Sequence, residues 1–149
     1  SDVCSSDLNK PVAIRNPKAT RPWQHVLEPL SGYLILAQNL YKDQKKYAEG
    51  WNFGPNEKDV QPVDWILDKM ISKWPDSSWE LDNNSSPHEA GFLKLDISKA
   101  KSKLGWSPVW ELSQTLEKIV SWHQAWLNKE DMQAVCLTEI EEYTRDMNK

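Results

Sequence analysis

Short extended runs alternate along the chain with longer segments whose apolar residues recur at helical spacing, and this alternation limits the fold more than any other feature. The extended runs span residues 10–15 (KPVAIR), 50–55 (GWNFGP), 77–82 (SSWELD) and 92–96 (FLKLD). Alternating strands and helices predict an α/β fold. The strands are too few and too short for a complete doubly wound sheet, so we expect only part of such a fold.

About five helices are predicted between and after these runs. The first begins near Glu28, and Pro29 suits its first turn. It carries an apolar stripe that consists of Leu30, Tyr33, Leu34, Ala37 and Tyr41. Pro62 is expected to open the second helix, which has a wide apolar face that ends at Trp74.

The remaining three helices are placed by their capping signals. Asp96 or Ser98 can cap a compact third helix, and Gly105 fits the left-handed position that stops it. Ser113 is expected to cap the longest helix, residues 114–128. Its predicted buried face consists of Leu116, Ile119, Val120, His123, Trp126 and Leu127. The pattern TEIE, residues 138–141, predicts the start of a short terminal helix.

The composition is typical of a globular protein and argues against several classes of function. Hydrophobic residues make up 39% and charged residues 27% of the 149 positions, and the net charge of −4 argues against nucleic-acid binding. No segment approaches the ~20 apolar residues of a membrane span, so no membrane partner is expected. Two distant cysteines without a CxxC pair, and three scattered histidines, predict a reduced cytoplasmic setting and no metal site.

Nine tryptophans are several times the usual number for a chain of this length. They have two interpretations: core residues, or an exposed surface on which sugars or bases stack. Because most tryptophans in proteins are largely buried, we expect most of these to belong to the core.

The stretch RNPKATRPWQHV, residues 15–26, concentrates cations in an otherwise acidic chain. It contains Arg15, Lys18 and Arg21, and Pro22 holds Arg21 on extended backbone. A guanidinium is a forked donor that suits bidentate contact with phosphate. On residue chemistry alone two interpretations stay open, a phosphate clamp or ordinary pairing with carboxylates of the same fold.

No catalytic residue is predicted. Tyr41 and Lys45 have the Tyr-x-x-x-Lys spacing that short-chain dehydrogenases use for proton transfer. This match has two fixed positions and is frequent by chance, so we interpret it as the end of a helix. The five glycines never fall into Gly-x-Gly-x-x-Gly spacing, so the chain offers no loop for a dinucleotide pyrophosphate. Neither a nucleophile elbow nor an ordered triad is present in the sequence.

Four segments carry a resemblance to a known family. They are RNPKATRPWQHVLEPLSGYL (15–34), AEGWNFGP (48–55), PHEAGFLKLDISKAKSKLGW (87–106) and DMQAVCLTEIEEY (131–143). Together they resemble the C-terminal half of CDP-glucose 4,6-dehydratases, which are extended short-chain dehydrogenase/reductase enzymes. The resemblance covers residues 9–149 and implies the C-terminal, nucleotide-sugar-binding portion of a Rossmann-type fold. Residues 1–8 match nothing in that family, and we interpret them as a disordered leader and an artefact of sequencing or assembly.

The resemblance implies a lyase that uses bound NAD. In such enzymes NAD removes a hydride at C4 of CDP-glucose, water is lost across C5 and C6, and the hydride returns to C6. The product, CDP-4-keto-6-deoxyglucose, is a precursor of sugars in bacterial surface polysaccharides. The family's glycine loop and catalytic Tyr/Lys pair belong to its first half, so we expect this chain alone to be inactive and the full-length enzyme to be a cytoplasmic homodimer.

Four residues inherit a role from the resemblance. Arg21 matches the arginine that relatives place on the nucleotide phosphates, and Arg15 falls near the base. Asn56 and His88 fall where relatives line the nucleotide pocket. Three alternatives stay open: another nucleotide-sugar epimerase or dehydratase, a stand-alone carbohydrate- or nucleotide-binding module that uses exposed tryptophans, and a purely structural domain with an exposed apolar face.

Overall fold

The structure is a computed structural model that describes residues 11–74, 77–82 and 91–149. The expected leader at residues 1–8 and the candidate site residue His88 lie outside this described part. The chain divides into two units, which are described separately. The first unit comprises the described residues of Ser1–Arg21 and Gln61–Leu93, and the second comprises Pro22–Val60 and Lys94–Lys149.

The described elements confirm an α/β chain with short strands, and they include five α-helices and one π-helical turn. In chain order they are β1 (Val12–Ile14), β2 (Thr20–Arg21), α1 (Leu27–Lys42), α2 (Gln44–Tyr47), β3 (Gln61–Pro62), α3 (Val63–Ile71), β4 (Trp79–Leu81), α4 (Leu112–Leu127) and α5 (Met132–Met147). A 3-10 turn at Glu57–Asp59 and a π-helical turn at Ala100–Leu104 complete the set. Among the described residues no helix has the length and apolarity needed to cross a bilayer.

Two separate strand pairs form the β structure of the first unit. Strand β1 pairs in parallel with β4, and β2 pairs antiparallel with β3. The predicted strand at residues 92–96 is reduced to a single bridge between Phe92 and Thr20, so that prediction was wrong. Helix α3 follows β3 directly, and Pro62 caps it, as its position in the sequence predicted.

Phe53 and Trp106 lie at the centre of the core of the second unit. Both are buried and meet edge to face with ring centroids 5.0 Å apart. Gly32 of α1 makes room for Phe53, since a Cβ at that position would lie 2.3 Å from the ring. The run 50–55 is therefore partly buried as predicted, but it forms no strand, because packing against a helix gives its backbone no ladder to join.

A fully buried carboxyl group, that of Glu28, joins three parts of the second unit. Its Oε1 accepts a hydrogen bond from the backbone N–H of Trp110 at 2.8 Å. Its Oε2 accepts hydrogen bonds from the Val109 N–H at 3.0 Å and from the Tyr143 hydroxyl at 2.7 Å. Three donors thus satisfy a side chain with no exposed surface, as a buried polar group requires.

Ser31 extends this network along α1. Its hydroxyl lies 3.0 Å from the Tyr143 hydroxyl and accepts the indole N–H of Trp106 at 2.9 Å. The buried face of α1 is therefore polar in its first turns, whereas Ile35 and Leu36 farther along pack against the apolar core. The apolar stripe predicted on this helix lies on the exposed side instead, with Tyr33 56%, Leu34 67% and Tyr41 92% exposed.

The third predicted helix is present and has the predicted end signals. Asp96 Oδ1 accepts from the Ser98 N–H at 2.9 Å, and Gly105 adopts φ 67°, the left-handed stop. The last turns are π-helical, and the Gly105 N–H bonds the Ala100 carbonyl five residues back. The Trp106 N–H lies 3.3 Å from the same carbonyl.

The predicted caps of the last two helices are wrong. Helix α4 begins at Leu112, whose N–H bonds Asp59 Oδ1 at 3.0 Å, and Ser113 lies inside the helix. Helix α5 begins at Met132, and Asp131 caps it through the N–H groups of the next turn. It is therefore longer than the expected short terminal helix. The buried residues of α4 are Leu112, Thr115, Leu116, Val120 and Ala125.

The tryptophans divide between buried, half-buried and exposed positions. Trp106 and Trp110 are buried, Trp126 is 51% exposed, and the other six are half-buried. Only two of the nine are thus fully within the core, which is fewer than expected.

Replacement of Glu28 by glutamine should destabilise the second unit. The amide nitrogen would place a donor against a backbone N–H or the Tyr143 hydroxyl, and one buried group would lose its partner. We expect the free energy of unfolding to fall by about 1–3 kcal/mol in urea titrations. Glu141→Gln, on the exposed side of α5, is the matched control and should change it by less than ~0.5 kcal/mol. Equal effects of the two changes would contradict the role assigned to Glu28.

Candidate functional site

Arg21 lies on strand β2, whose backbone is bonded on both edges. Besides its pairing with β3, the Thr20 N–H donates to the Gly91 carbonyl at 2.9 Å, and the Leu93 N–H donates to the Thr20 carbonyl at 3.1 Å. The extended backbone predicted from Pro22 is confirmed. The side chain of Arg21 is half-buried, and its Nη1 donates to the Thr20 carbonyl at 3.0 Å.

Arg15 is exposed and follows β1, which pairs with β4. Arg15 and Arg21 therefore belong to different strand pairs of the first unit. Between them, Lys18 Nζ lies 2.5 Å from Asp64 Oδ2, and this hydrogen bond holds the pKa of the Asp64 carboxyl below its usual range. Lys18 therefore forms an ion pair within its own fold, which is the ordinary outcome that the sequence left open for this cationic stretch.

Asn56, in the second unit, lies beside a lysine that the sequence did not single out. The ammonium group of Lys101 donates to Asn56 Oδ1 at 2.7 Å. Asn56 is half-buried, and it follows three buried residues and precedes the 3-10 turn. The amide oxygen of Asn56 is thus occupied by Lys101, which leaves its amide nitrogen as a hydrogen-bond donor. This nitrogen and the ammonium group of Lys101 place two donors side by side.

The acidic groups around Asn56 already have other partners. Glu57 pairs with Lys94, and Asp59 accepts from the start of α4. No described carboxyl group lies within ion-pair distance of Lys101, whereas its neighbour Lys103 lies 3.3 Å from Glu49. Lys101 and Asn56 thus combine a positive charge with amide donors, the combination that an anionic oxygen prefers.

The second unit also contains His25, from the same cationic motif as Arg21. It is buried, its Nδ1 accepts from the Leu27 N–H at 3.3 Å, and its ring meets Trp110 edge to face at 5.0 Å. Burial, reinforced by the charge of Lys118, lowers the pKa of His25 to about 4. His25 is therefore neutral at pH 7, and its 3.8 Å approach to the half-buried carboxyl group of Glu139 is not an ion pair there.

Metal or dinucleotide chemistry has no matching set of groups in the described residues. No group of three or more His, Cys, Asp or Glu side chains there could hold a metal ion. Gly32 faces Phe53 within α1, Gly54 packs against Leu95, and Gly105 ends a helix. The five described glycines do not have the spacing of a loop that holds a dinucleotide pyrophosphate.

Comparison with known proteins supplies the context for these residues. No family model matches the chain. The chain is 54% identical over 140 residues to the CDP-glucose 4,6-dehydratase of Salmonella typhimurium. The resemblance to CDP-glucose 4,6-dehydratases is confirmed.

The match covers 93% of this chain and 39% of the Salmonella dehydratase. The chain thus spans about two fifths of the length of this curated relative, and the matched part is C-terminal. Arg15, Arg21 and Asn56 lie in the described residues, and the structure adds Lys101 beside Asn56. The run of lysines at 99, 101 and 103 was visible in the sequence, but which of the three lacks a carboxyl partner depends on the fold.

Stability should fall on acidification through the titration of His25. Its pKa is about 4 in the folded chain against 6.5 as its ordinary value, so the unfolded chain binds this proton more readily. The stability contributed by neutral His25 is fully present above pH 6.5 and is lost as the pH falls through about 4. Urea titrations across this range should show the free-energy difference between the parent chain and His25→Gln shrinking as the pH falls. If the free energy of unfolding changes with pH in the same way in both proteins, the role assigned to His25 is wrong.

Proposed function

We propose that this chain is the nucleotide-sugar-binding, C-terminal portion of a CDP-glucose 4,6-dehydratase with an incomplete Rossmann-type fold. The observation that carries the proposal is the 54% identity over 93% of the chain. CDP-glucose is the proposed substrate of the complete enzyme, and CDP-4-keto-6-deoxyglucose, for surface polysaccharide sugars, is the proposed product. The complete enzyme is proposed to be a cytoplasmic homodimer.

Binding of the diphosphate is the part of this function that we assign to the present residues. Arg21 is proposed to contact the phosphates, because its guanidinium is held on a doubly bonded strand. Within the second unit, Asn56 and Lys101 are proposed to donate to an anionic oxygen of the nucleotide sugar, supported by their 2.7 Å contact and by the acidic neighbours that are engaged elsewhere. Arg15 and His88 remain proposed contacts of the nucleotide.

Turnover is assigned to the part of the dehydratase that this chain does not span. The described glycines do not suit NAD, and Tyr41 with Lys45 is not a catalytic pair in this proposal, since Tyr41 is 92% exposed at the end of α1. NAD is therefore proposed as a cofactor of the complete enzyme, bound outside this chain. The chain alone is proposed to be inactive.

Replacement of Arg21 by alanine should weaken binding of CDP without unfolding the protein. We propose to join the Salmonella dehydratase segment upstream of the match to the matched residues of this chain. Titration calorimetry with CDP should show a rise in Kd of about tenfold or more, because a charge-assisted hydrogen bond contributes about 1.5–3 kcal/mol. Arg145→Ala, on exposed α5, is the matched control and should leave the Kd unchanged.

Lys101→Ala and Lys103→Ala form a second matched pair, since both lysines are exposed on one turn and only Lys103 pairs with a carboxyl group. Lys101→Ala should weaken CDP binding, and Lys103→Ala should not. An unchanged affinity in both Arg21→Ala and Lys101→Ala would overturn the phosphate assignment. Absence of a 4-keto product from CDP-glucose in a folded, CDP-binding chimera would overturn the assignment of the reaction.

A further inference from the structure

Helix α1 presents an apolar stripe to solvent instead of to the core. The stripe consists of Val26, Leu30, Tyr33, Leu34 and Tyr41, which are between 44% and 92% exposed. Successive members are four, three, one and seven residues apart, so they lie on one face over the whole helix. Single exposed apolar residues are normal, but a continuous stripe at helical spacing marks a contact surface.

The opposite face of α1 is the one that the second unit buries, and it carries the carboxyl group of Glu28 and the hydroxyl of Ser31. Ile35 and Leu36 of α1 also pack against the core around Phe53, so the helix has apolar residues on both its buried and its exposed side. A surface helix of a complete fold usually has one apolar face, so the exposed one is left for another partner. None of the five stripe residues bears a charge. The stripe would therefore pack against another uncharged, apolar surface.

We propose that the α1 stripe is an interface that packs against an apolar surface of the upstream part of the dehydratase. This inference rests on the proposed function, because it takes the upstream part from the relative. About three fifths of that relative's length lies outside the match with this chain. A covalently joined segment of that size is the occupant that the observations favour.

The size of the stripe argues against a second copy of this chain as the occupant. From Val26 to Tyr41 a helix rises about 22 Å, and a strip about 10 Å wide gives an area of roughly 200 Å². A specific, stable dimer buries about 800 Å² on each partner. A contact within one chain needs far less area, because it does not have to offset the entropy of association.

The spacing within the stripe also indicates how its partner packs. Val26, Leu30 and Leu34 follow one another at intervals of four and form a ridge along the helix. Tyr33 lies beside this ridge and meets Phe53 edge to face at 5.4 Å, which ties that side of the stripe to the core of the second unit. A helix or sheet with a matching groove would bury the ridge.

Hydroxyl-radical footprinting tests the proposal on the 149-residue chain and on the chimera described above. Tyr41 and Leu34 should be oxidised in the chain alone and should lose most of that oxidation in the chimera. Trp126, 51% exposed on α4, is the internal control and should react equally in both proteins. Equal oxidation of Tyr41 and Leu34 in the two proteins overturns the proposal.

A charge placed in the stripe gives a second measurement with a matched control. Leu34→Glu should leave the Tm of the chain alone nearly unchanged and should lower the Tm of the chimera by about 5 °C or more. Leu137→Glu, at a leucine 52% exposed on α5, should have little effect in either protein. If Leu34→Glu is tolerated in both proteins, the proposal is wrong.

Sedimentation of the chain alone distinguishes the second-copy alternative. A monomer at all concentrations is expected, and a dimer that Leu34→Glu dissociates would overturn the proposal in favour of self-association. CDP affinity of the chimera is measured in parallel. Loss of CDP binding with the footprint intact contradicts the proposed function alone, whereas a missing footprint with CDP binding intact contradicts the interface alone.

Discussion

One buried carboxyl group holds three segments of the second unit together. Glu28 accepts hydrogen bonds from the backbone before α4 and from the last helix while lying on the first. Removal of a carboxyl group from water is costly unless its oxygens find donors, so the three segments have to adopt this arrangement together. The buried hydroxyl of Tyr143, whose pKa burial raises well above its usual range, remains a donor to Glu28 at any physiological pH.

Contacts between aromatic rings surround Trp110 and add to the hydrogen bonds of Glu28. Trp110 meets Tyr143 edge to face at 5.0 Å and donates its indole N–H to Asp146 at 3.0 Å. His25 touches the same indole and, being neutral, adds no buried charge. The end of the cationic motif is thus held by the core of the second unit. Its Arg21 belongs to the first unit, and the boundary between the units falls within the motif.

Local signals predicted the parts of the fold that depend on neighbours in sequence. Pro22 predicted the extended backbone of Arg21, because the proline ring restricts the residue before it. Gly105 predicted the end of a helix, because glycine readily adopts a positive φ. Predictions of helix starts were wrong where the capping group is distant in sequence. Asp59 caps α4 from 53 positions away, so the nearer Ser113 was a misleading cap.

The prediction that the apolar stripe on α1 faces the core was wrong for a related reason. Periodicity identifies which residues share a face, but it does not say whether that face meets this chain or another surface. The candidate site shows the same limit. Arg21 and Asn56 came from motif and resemblance, whereas Lys101 required knowledge of which lysines already have carboxyl partners, which is a property of the folded chain.

The bond between Glu28 and Tyr143 also has a consequence for how the polypeptide is made. Its two ends are separated by 115 positions. At about 5–20 residues per second, a ribosome needs roughly 6–23 s to pass from one to the other. During that interval Glu28 has left the ribosome without its hydroxyl partner, and Ser31 beside it lacks the same partner. The second unit therefore completes this buried network only after Tyr143 has been made, and until then the carboxyl group of Glu28 lacks one of its three donors.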